Sequence, residues 1–300
     1  MGTNPTIACW ANNLAYPARS LENWLAQLDR RLEQAHSAGA HMLFLPEYAC
    51  AQWLNFAPQH LPGSEEIPWL ADLGEQALPV LKSLAQTHGI ALFAGTLPSV
   101  SAEHAPPLLN RAHLLLPDGR HIRQDKLCLT PDEKEADGWN LSPGYTLNLF
   151  EWQGWRVAIV ICLDIELPAL ATRLAEYQPD LILVPSMTSR GGFWRVNSCA
   201  KARSVELFTS ICVVGCYGQP RAGHWPYRGG ASVYIPCEQA LGLTGVHAEL
   251  PPSDGDESDG QALLVRELPL STVHELRGGG SVEVWPGAWR ADHVHIEVVS

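Results

Sequence analysis

Three polar residues that close apolar runs make a chemically usable set. Glu47 ends Leu43-Phe-Leu-Pro-Glu47, Lys126 lies in Arg123-Gln-Asp-Lys-Leu-Cys-Leu-Thr130, and Cys162 ends Val157-Ala-Ile-Val-Ile-Cys162. A thiol is a nucleophile, a carboxylate takes and returns a proton, and an ammonium stabilises developing negative charge. In α/β sheets ligands gather beyond the carboxyl ends of strands, so residues far apart in the chain can face one pocket there. Each of the three also has a plainer reading: a core thiol, a helix-start or loop glutamate, a solvated lysine. Other common chemistries leave no motif: there is no G-x-S-x-G elbow, phosphate loop, G-x-G-x-x-G or H-E-x-x-H. His293-Val-His295 puts two imidazoles on one strand face with no third ligand grouped around them, so they read as surface histidines and no metal site is expected.

The elements that must carry these residues follow from hydrophobic period. Thr6–Ala11 is predicted as a first strand. Ser20 caps a helix in which Leu21, Trp24, Leu25, Leu28 and Leu32 recur on one face, with Gly39 as its stop. A strand over His41–Pro46 delivers Glu47. A helix around Leu78 to Thr87 ends at Gly89, and a strand follows over Ile90–Thr96. Pro117-Asp-Gly-Arg120 turns a hairpin between Ala112–Leu116 and His121–Asp125, which delivers Lys126. In the second half, strands over Arg156–Leu163, Leu181–Pro185 and Ile211–Gly215 alternate with helices over Leu167–Tyr177 and Phe193–Leu207. Ala231–Ile235, Ala262–Leu268 and His293–Val299 alternate like half-exposed strands. Strands alternating with helices, plus hairpins, imply a layered α/β fold with a mixed sheet.

Composition bounds the function. The 300 residues are 46% hydrophobic and 17% charged, enough to bury a sizeable core. Twenty Lys and Arg against 32 Asp and Glu give a net charge of −12, a poor balance for holding a phosphate backbone, so no nucleic-acid partner is expected. No apolar window has membrane-spanning length, and no basic, then apolar, N-terminal segment marks a signal peptide. A cytoplasmic protein without membrane partners is therefore expected. The eight cysteines include no C-x-x-C pair, and most read as small buried thiols. Residues 1–300 read as one domain with an acidic surface loop near 251–260. A C-terminal extension begins at about 271, with Gly278-Gly-Gly280 as a joint.

In context the three segments say more. Leu45-Pro-Glu47, Lys126-Leu-Cys-Leu-Thr-Pro-Asp-Glu133 and Ile161-Cys-Leu-Asp-Ile-Glu-Leu-Pro168 resemble, in order and separation, the Glu–Lys–Cys signature of the nitrilase (carbon–nitrogen hydrolase) superfamily. Arg203 to Glu206 is similar to the family's R-A-x-E helix, and Gly230–Pro236 to the strand after it. The resemblance runs from about residue 5 to 270 and looks closest to a poorly characterised branch. It implies a four-layer α-β-β-α sandwich, a homodimer or larger homo-oligomer, and no cofactor. It also implies Cys162 as nucleophile, Glu47 as general base and acid, Lys126 with the Leu163 N–H as oxyanion stabilisers, and Glu133 positioning the lysine and substrate. Substrate contacts are expected from Leu163, Glu166, Ser186 and Trp194. Cys128 stands where the family commonly has His, Leu163 replaces an aromatic, and Ala169 replaces a Glu; none removes a reacting group.

The activity implied is hydrolysis of a small-molecule amide through a thioester on Cys162. Nitrile or N-carbamoyl hydrolysis on the same groups stays open, as does a non-catalytic binding protein on the same scaffold. The four residues after Cys162, which are Leu163, Asp164, Ile165 and Glu166, form a net acidic stretch. If Glu166 lines the pocket, neutral or amine-bearing substrates are favoured over carboxylates. If it instead pairs with Arg195 or Arg203, that preference weakens, and a cation from the helix start Arg190–Arg195 would reverse it.

Overall fold

The structure, a computed structural model, describes residues 2–255, 257–279, 282 and 293–298. In the first half, β1 (Ile7–Asn12), α1 (Leu21–Ser37), β2 (Met42–Phe44), α2 (Gly63–His88) and β3 (Ala91–Val100) lead into the hairpin of β4 (Leu108–Leu115) and β5 (His121–Asp125). The single turn α3 (Pro131–Lys134) and the pair β6 (Leu149–Trp152) and β7 (Trp155–Ile159) follow. Next come α4 (Pro168–Ala175), β8 (Leu181–Ser186), α5 (Arg190–Leu207), β9 (Ser210–Gly215), β10 (Gly229–Tyr234), β11 (Val246–Ser253), β12 (Gly260–Val265) and α6 (Leu270–Arg277).

The strands form two six-stranded mixed sheets, ordered β12-β1-β2-β3-β4-β5 and β11-β10-β9-β8-β7-β6. In each, three central strands run parallel (β1, β2, β3 and β7, β8, β9) and antiparallel strands extend the edges. Side-chain alternation sorts the first sheet into two faces. Ile7, Cys9, Met42, Phe44 and Phe93 join the core shared with the second sheet, while Ala8, Trp10, Leu43, Leu45 and Leu92 pack with Trp24, Leu28 and Leu32 of α1 and with Leu70 and Leu81 of α2. On the far side α4 and α5 bury Leu174, Val196, Ala200 and Leu207 in the same core as the second sheet. The result is the four-layer α-β-β-α sandwich. Between the sheets, the thiols of Cys9 and Cys212 lie 3.5 Å apart. All eight cysteines are free, and five are buried.

Local signals hold where capping or a turn fixes them. The Ser20 side chain accepts from Asn23 N at 3.1 Å, and the β4–β5 hairpin pairs Leu115 with His121, as expected. Elsewhere tertiary packing overrides them. The predicted helix around Leu78 is the end of a 26-residue helix that runs through Pro68 and Pro79. Both prolines are exposed, so the carbonyls they leave unbonded face water, while Ile67, Leu70, Ala77 and Leu81 anchor the opposite face. The strand predicted over Arg156–Leu163 stops at Ile159, because the chain must turn sharply at Cys162. The acidic 251–260 loop is narrower than expected: β11 runs to Ser253 and β12 starts at Gly260. Its Asp259 is tied to Arg31 and Gln27 of α1 and its Asp254 to Arg228, so the segment is held to the body rather than free. Residues 293–298 form no strand, in contrast to the alternation there, and Val299 lies outside the described residues. The helix α6, within the predicted extension, was not legible as one.

One glycine is required by geometry. At Gly95, within the irregularity between Phe93 and Thr96 of β3, φ is +74°, and a Cβ there would collide with the Pro46 carbonyl oxygen. This lets the Pro46–Tyr48 loop approach β3, where Thr96 Oγ1 accepts from Tyr48 N at 3.0 Å. Gly95→Ala combines a positive φ with a backbone clash, so it is expected to destabilise the fold by at least about 2 kcal/mol in urea unfolding.

Candidate active site

Each of the expected reacting residues sits just beyond the end of a secondary-structure element. Glu47 follows β2 by way of Pro46, and Tyr48 then takes a left-handed conformation, φ +47°. Lys126 comes directly after β5, and its main-chain N–H donates to the Asn110 carbonyl on β4 at 2.8 Å. Glu133 lies on α3, where with Thr130 it makes a capping box. Cys162 starts a 3-10 turn three residues past the end of β7 with φ +48°, a conformation that L side chains rarely adopt and that marks a backbone held by its surroundings. The four side chains, 79 residues apart between Glu47 and Lys126 alone, converge on one cavity.

Their contacts form a closed set. Lys126 Nζ donates to Glu47 Oε1 at 2.9 Å and to Glu133 Oε2 at 2.7 Å. Asn110 Nδ2 donates to Glu47 Oε1 at 2.8 Å and to Glu133 Oε1 at 3.0 Å. Met187 N, just past the end of β8, donates to Glu47 Oε2 at 2.8 Å. Thr130 N and Oγ1 both donate to Glu133 Oε2, at 2.9 and 3.1 Å. Ser186 Oγ, on the last residue of β8, donates to Cys162 Sγ at 3.5 Å. Asp164, two residues after the cysteine, accepts from Leu127 N at 3.1 Å and Cys128 N at 2.8 Å, lashing the lysine segment to the cysteine turn.

Burial dominates the electrostatics. Glu47, Lys126, Glu133 and Cys162 are only 1–4% exposed. Burial lifts the Glu47 carboxyl above the usual carboxylate range, and the Lys126 ammonium only partly offsets it. Burial works against the Lys126 ammonium, but the Glu47 and Glu133 carboxylates outweigh it and hold the lysine well above its usual value, so it is charged. Burial, with the Glu47 charge adding to it, raises the Cys162 thiol, which therefore rests as S–H rather than thiolate. The arrangement sets a carboxylate of raised proton affinity beside a neutral thiol and presents a fixed positive charge to a new anion.

The cavity, of about 300 Å³, is lined by Glu47, Lys126, Glu133, Cys162 and Leu163, with Tyr48, Asp132, Trp139, Glu166, Met187, Arg195, Trp225 and Tyr227 around them. Glu166 lines it and is also paired with Arg195, whose Nε donates to Oε2 at 3.1 Å. Arg203 pairs instead with Glu206 along α5. Trp194 is not brought in: it is 57% exposed on α5 and does not line the cavity, because its neighbour Phe193 takes the buried side of the helix. The aromatic walls are Tyr48, Trp139, Trp225 and Tyr227, all on loops or turns whose side-chain direction has no sequence period to reveal it. Asn110 was missed as well, although a signal existed: it shares a β4 face with Ala112 and Leu114, where a buried amide is out of place without a partner. Among the described residues, no group of three or more His, Cys, Asp or Glu side chains is arranged to hold a metal ion, and no helix is long and apolar enough to cross a membrane.

The sequence model of the carbon–nitrogen hydrolase family matches residues 7–230. The chain belongs to this family. Among its relatives is a probable hydrolase, YhcX, of Bacillus subtilis (strain 168), 25% identical over 281 residues covering 93% of this chain and 52% of the relative, so the chain spans about half of that protein's length. The omega-amidase YafV of Yersinia enterocolitica is 25% identical over 239 residues, 79% of this chain and 80% of the relative. The fold is shared with a mutant of the amidase from Nesterenkonia sp. AN1 that shows covalent addition of the acetamide moiety of fluoroacetamide at its active site cysteine. That match has a TM-score of 0.68 and 22% identity and covers 91% of this chain and 94% of that one. It is shared too with the CN-hydrolase superfamily protein XC1258 from Xanthomonas campestris (TM-score 0.70, 18% identity, 93% and 98% covered).

Within this family fold, Asp164 carries a pH signature. Burial pushes its carboxyl up to about 7 against two backbone donors, so between its ordinary 3.8 and about 7 the folded state binds the extra proton. Wild type should therefore gain stability over Asp164→Asn as pH falls from 7 towards 4, by up to about 1.4 kcal/mol per pH unit, measured by urea unfolding at stepped pH.

Proposed function

We propose that this protein is a cysteine-dependent hydrolase of small amides. The single observation that carries the reading is the buried Glu47–Lys126–Glu133 ion triplet opening into the same cavity as the Cys162 thiol. As Cys162 Sγ attacks the carbonyl carbon, its proton passes to Glu47 and an S–C bond forms. The negative charge that develops on the carbonyl oxygen is met by the Lys126 ammonium and the Leu163 N–H. The intermediate collapses by breaking the C–N bond, and Glu47 returns the proton to the departing ammonia or amine. Water then adds to the thioester with Glu47 again taking a proton, and the S–C bond breaks to release the carboxylic acid and restore the thiol. Glu133, held by Thr130 and Asn110, keeps the lysine aimed. Support comes from the family, from relatives named as amidases, and from the acetamide adduct on the cysteine of the Nesterenkonia amidase. Nitriles and N-carbamoyl compounds call on the same groups and belong in the same substrate panel. A binding protein without catalysis would have no need to bury two carboxylates and an ammonium at a cost in desolvation.

The cavity also favours a substrate class. Glu47, Asp132, Glu133 and Glu166 line it against Lys126 and Arg195, an excess of two acidic groups, and its walls are aromatic. Neutral or amine-bearing amides fit this balance better than carboxylate-bearing ones. The opposite preference has two supports: the guanidinium of Arg195 lines the cavity, and several relatives are named omega-amidases.

Two outcomes check these readings. Cys162→Ala should lower ammonia release from the best amide of the panel by at least about 10⁴-fold while circular dichroism stays native; near-wild-type turnover would overturn the mechanism. For the substrate class, kcat/KM should be higher for neutral and amine-bearing amides than for dicarboxylic acid monoamides, with Glu166→Gln narrowing the gap. A preference for the carboxylate-bearing amides that Glu166→Gln leaves unchanged would refute it.

A further inference from the structure

Asn110 is 1% exposed on β4 and bonds every residue of the triplet, both carboxylates through its side chain and Lys126 through its main chain. Its Nδ2 donates to Glu47 Oε1 at 2.8 Å and Glu133 Oε1 at 3.0 Å, and its main-chain carbonyl accepts from Lys126 N at 2.8 Å. Its Oδ1 is buried with no hydrogen-bond partner among the described residues. The amide cannot be turned to satisfy that oxygen, since it would then face two carboxylates oxygen to oxygen. The side chain is thus oriented for its neighbours at its own expense.

Counting lone pairs shows what this does. Glu47 Oε1 accepts from both Asn110 and Lys126, so both of its lone pairs are engaged. Glu47 Oε2 accepts from Met187 N alone and keeps a lone pair. A proton leaving Cys162 therefore finds an open lone pair on Oε2, whereas at Oε1 it would compete with two donors already in place. We propose that Asn110 is a positioning residue that fixes Glu47 so that Oε2 is the oxygen exchanging protons with Cys162, and that its two N–H donors keep the paired carboxylates ionised beside a single ammonium. This rests on the Cys162–Glu47 chemistry proposed above.

The groups that face Glu47 are Lys126 after β5, Glu133 on α3, the Cys162 thiol, Tyr48 next in the chain, Cys216 after β9 and Tyr227 beyond it. Of these only Lys126 brings a positive charge, and Asn110 adds the donors that one ammonium cannot supply to two carboxylates. Without them Glu47 should hold its proton to higher pH.

The test uses the full-length protein and two readouts against pH: kcat/KM for the best amide, and the rate of Cys162 alkylation by iodoacetamide followed by peptide mass. Wild type should show Cys162 reacting ahead of the other cysteines, with an acid limb common to both profiles. In Asn110→Ala both limbs should move up by about one pH unit or more, and kcat should fall about 10–100-fold with KM within a few-fold. Asn110→Ser, which restores one donor, should give a smaller shift, and it replaces the alanine variant if that one does not fold. A folded variant whose acid limbs stay at the wild-type pH overturns the role of Asn110 alone. A wild-type Cys162 with no preferential reactivity and no acid limb overturns the parent chemistry, and this inference with it.

Discussion

A charge buried away from water has to be paired, and in this molecule one ammonium answers two carboxylates. Lys126 is 2% exposed between Glu47 and Glu133, so the segments bearing all three cannot move independently without stranding a charge in the interior. The shape of the surrounding chain follows from this. β4 and β5 must pair in the register that sets Lys126 N against the Asn110 carbonyl. The loop after β2 must come close enough to β3 that only a glycine fits at residue 95. The turn of α3 must close on Thr130 so that Glu133 is both a helix cap and a partner of the lysine.

The second sheet contributes the other half of the site through the ends of two adjacent parallel strands. β7 ends in the turn that holds Cys162 at positive φ, and β8 ends with Ser186 against the sulfur and Met187 N against Glu47. The thiol and the carboxylate are therefore registered against each other by one strand of the second sheet and the loop of the first. Asp164 ties the two halves again by accepting from Leu127 and Cys128. A site assembled across two sheets needs a rigid interface between them, and the fully buried Ile7, Phe44, Leu181 and Leu183 supply it.

The mouth of the cavity has a different physical character from its floor. At the floor every charge is desolvated and hydrogen-bonded; at the mouth the Glu166–Arg195 pair is partly in water, where ion pairs hold weakly and are screened by salt. On the proposed function, chemistry belongs to the rigid part, and discrimination between substrates to a rim of one loose ion pair, Asp132 and several aromatic rings.

The sequence by itself determined most of the elements and marked the residues that the fold brings to one cavity. Ser20 capped its helix, Pro117-Asp-Gly-Arg120 turned its hairpin, and the short apolar runs became strands, because capping, turn chemistry and side-chain alternation act over a few residues. Glu47, Lys126, Glu133 and Cys162 were legible because each sits in a segment whose order and spacing resemble a known family. Tertiary structure decided what depends on distant neighbours. It carried α2 through two prolines by burying the opposite face, and it halted β7 before the cysteine. It placed Trp194 outside the cavity and Trp139 and Trp225 inside it. It also brought in Asn110, a polar residue on the otherwise apolar face of β4, whose side-chain partners lie 63 and 23 residues away. Such contacts leave no period in the chain, since the energy that fixes them is the cost of leaving a buried polar group unpaired, and that cost exists only once the sheets have closed.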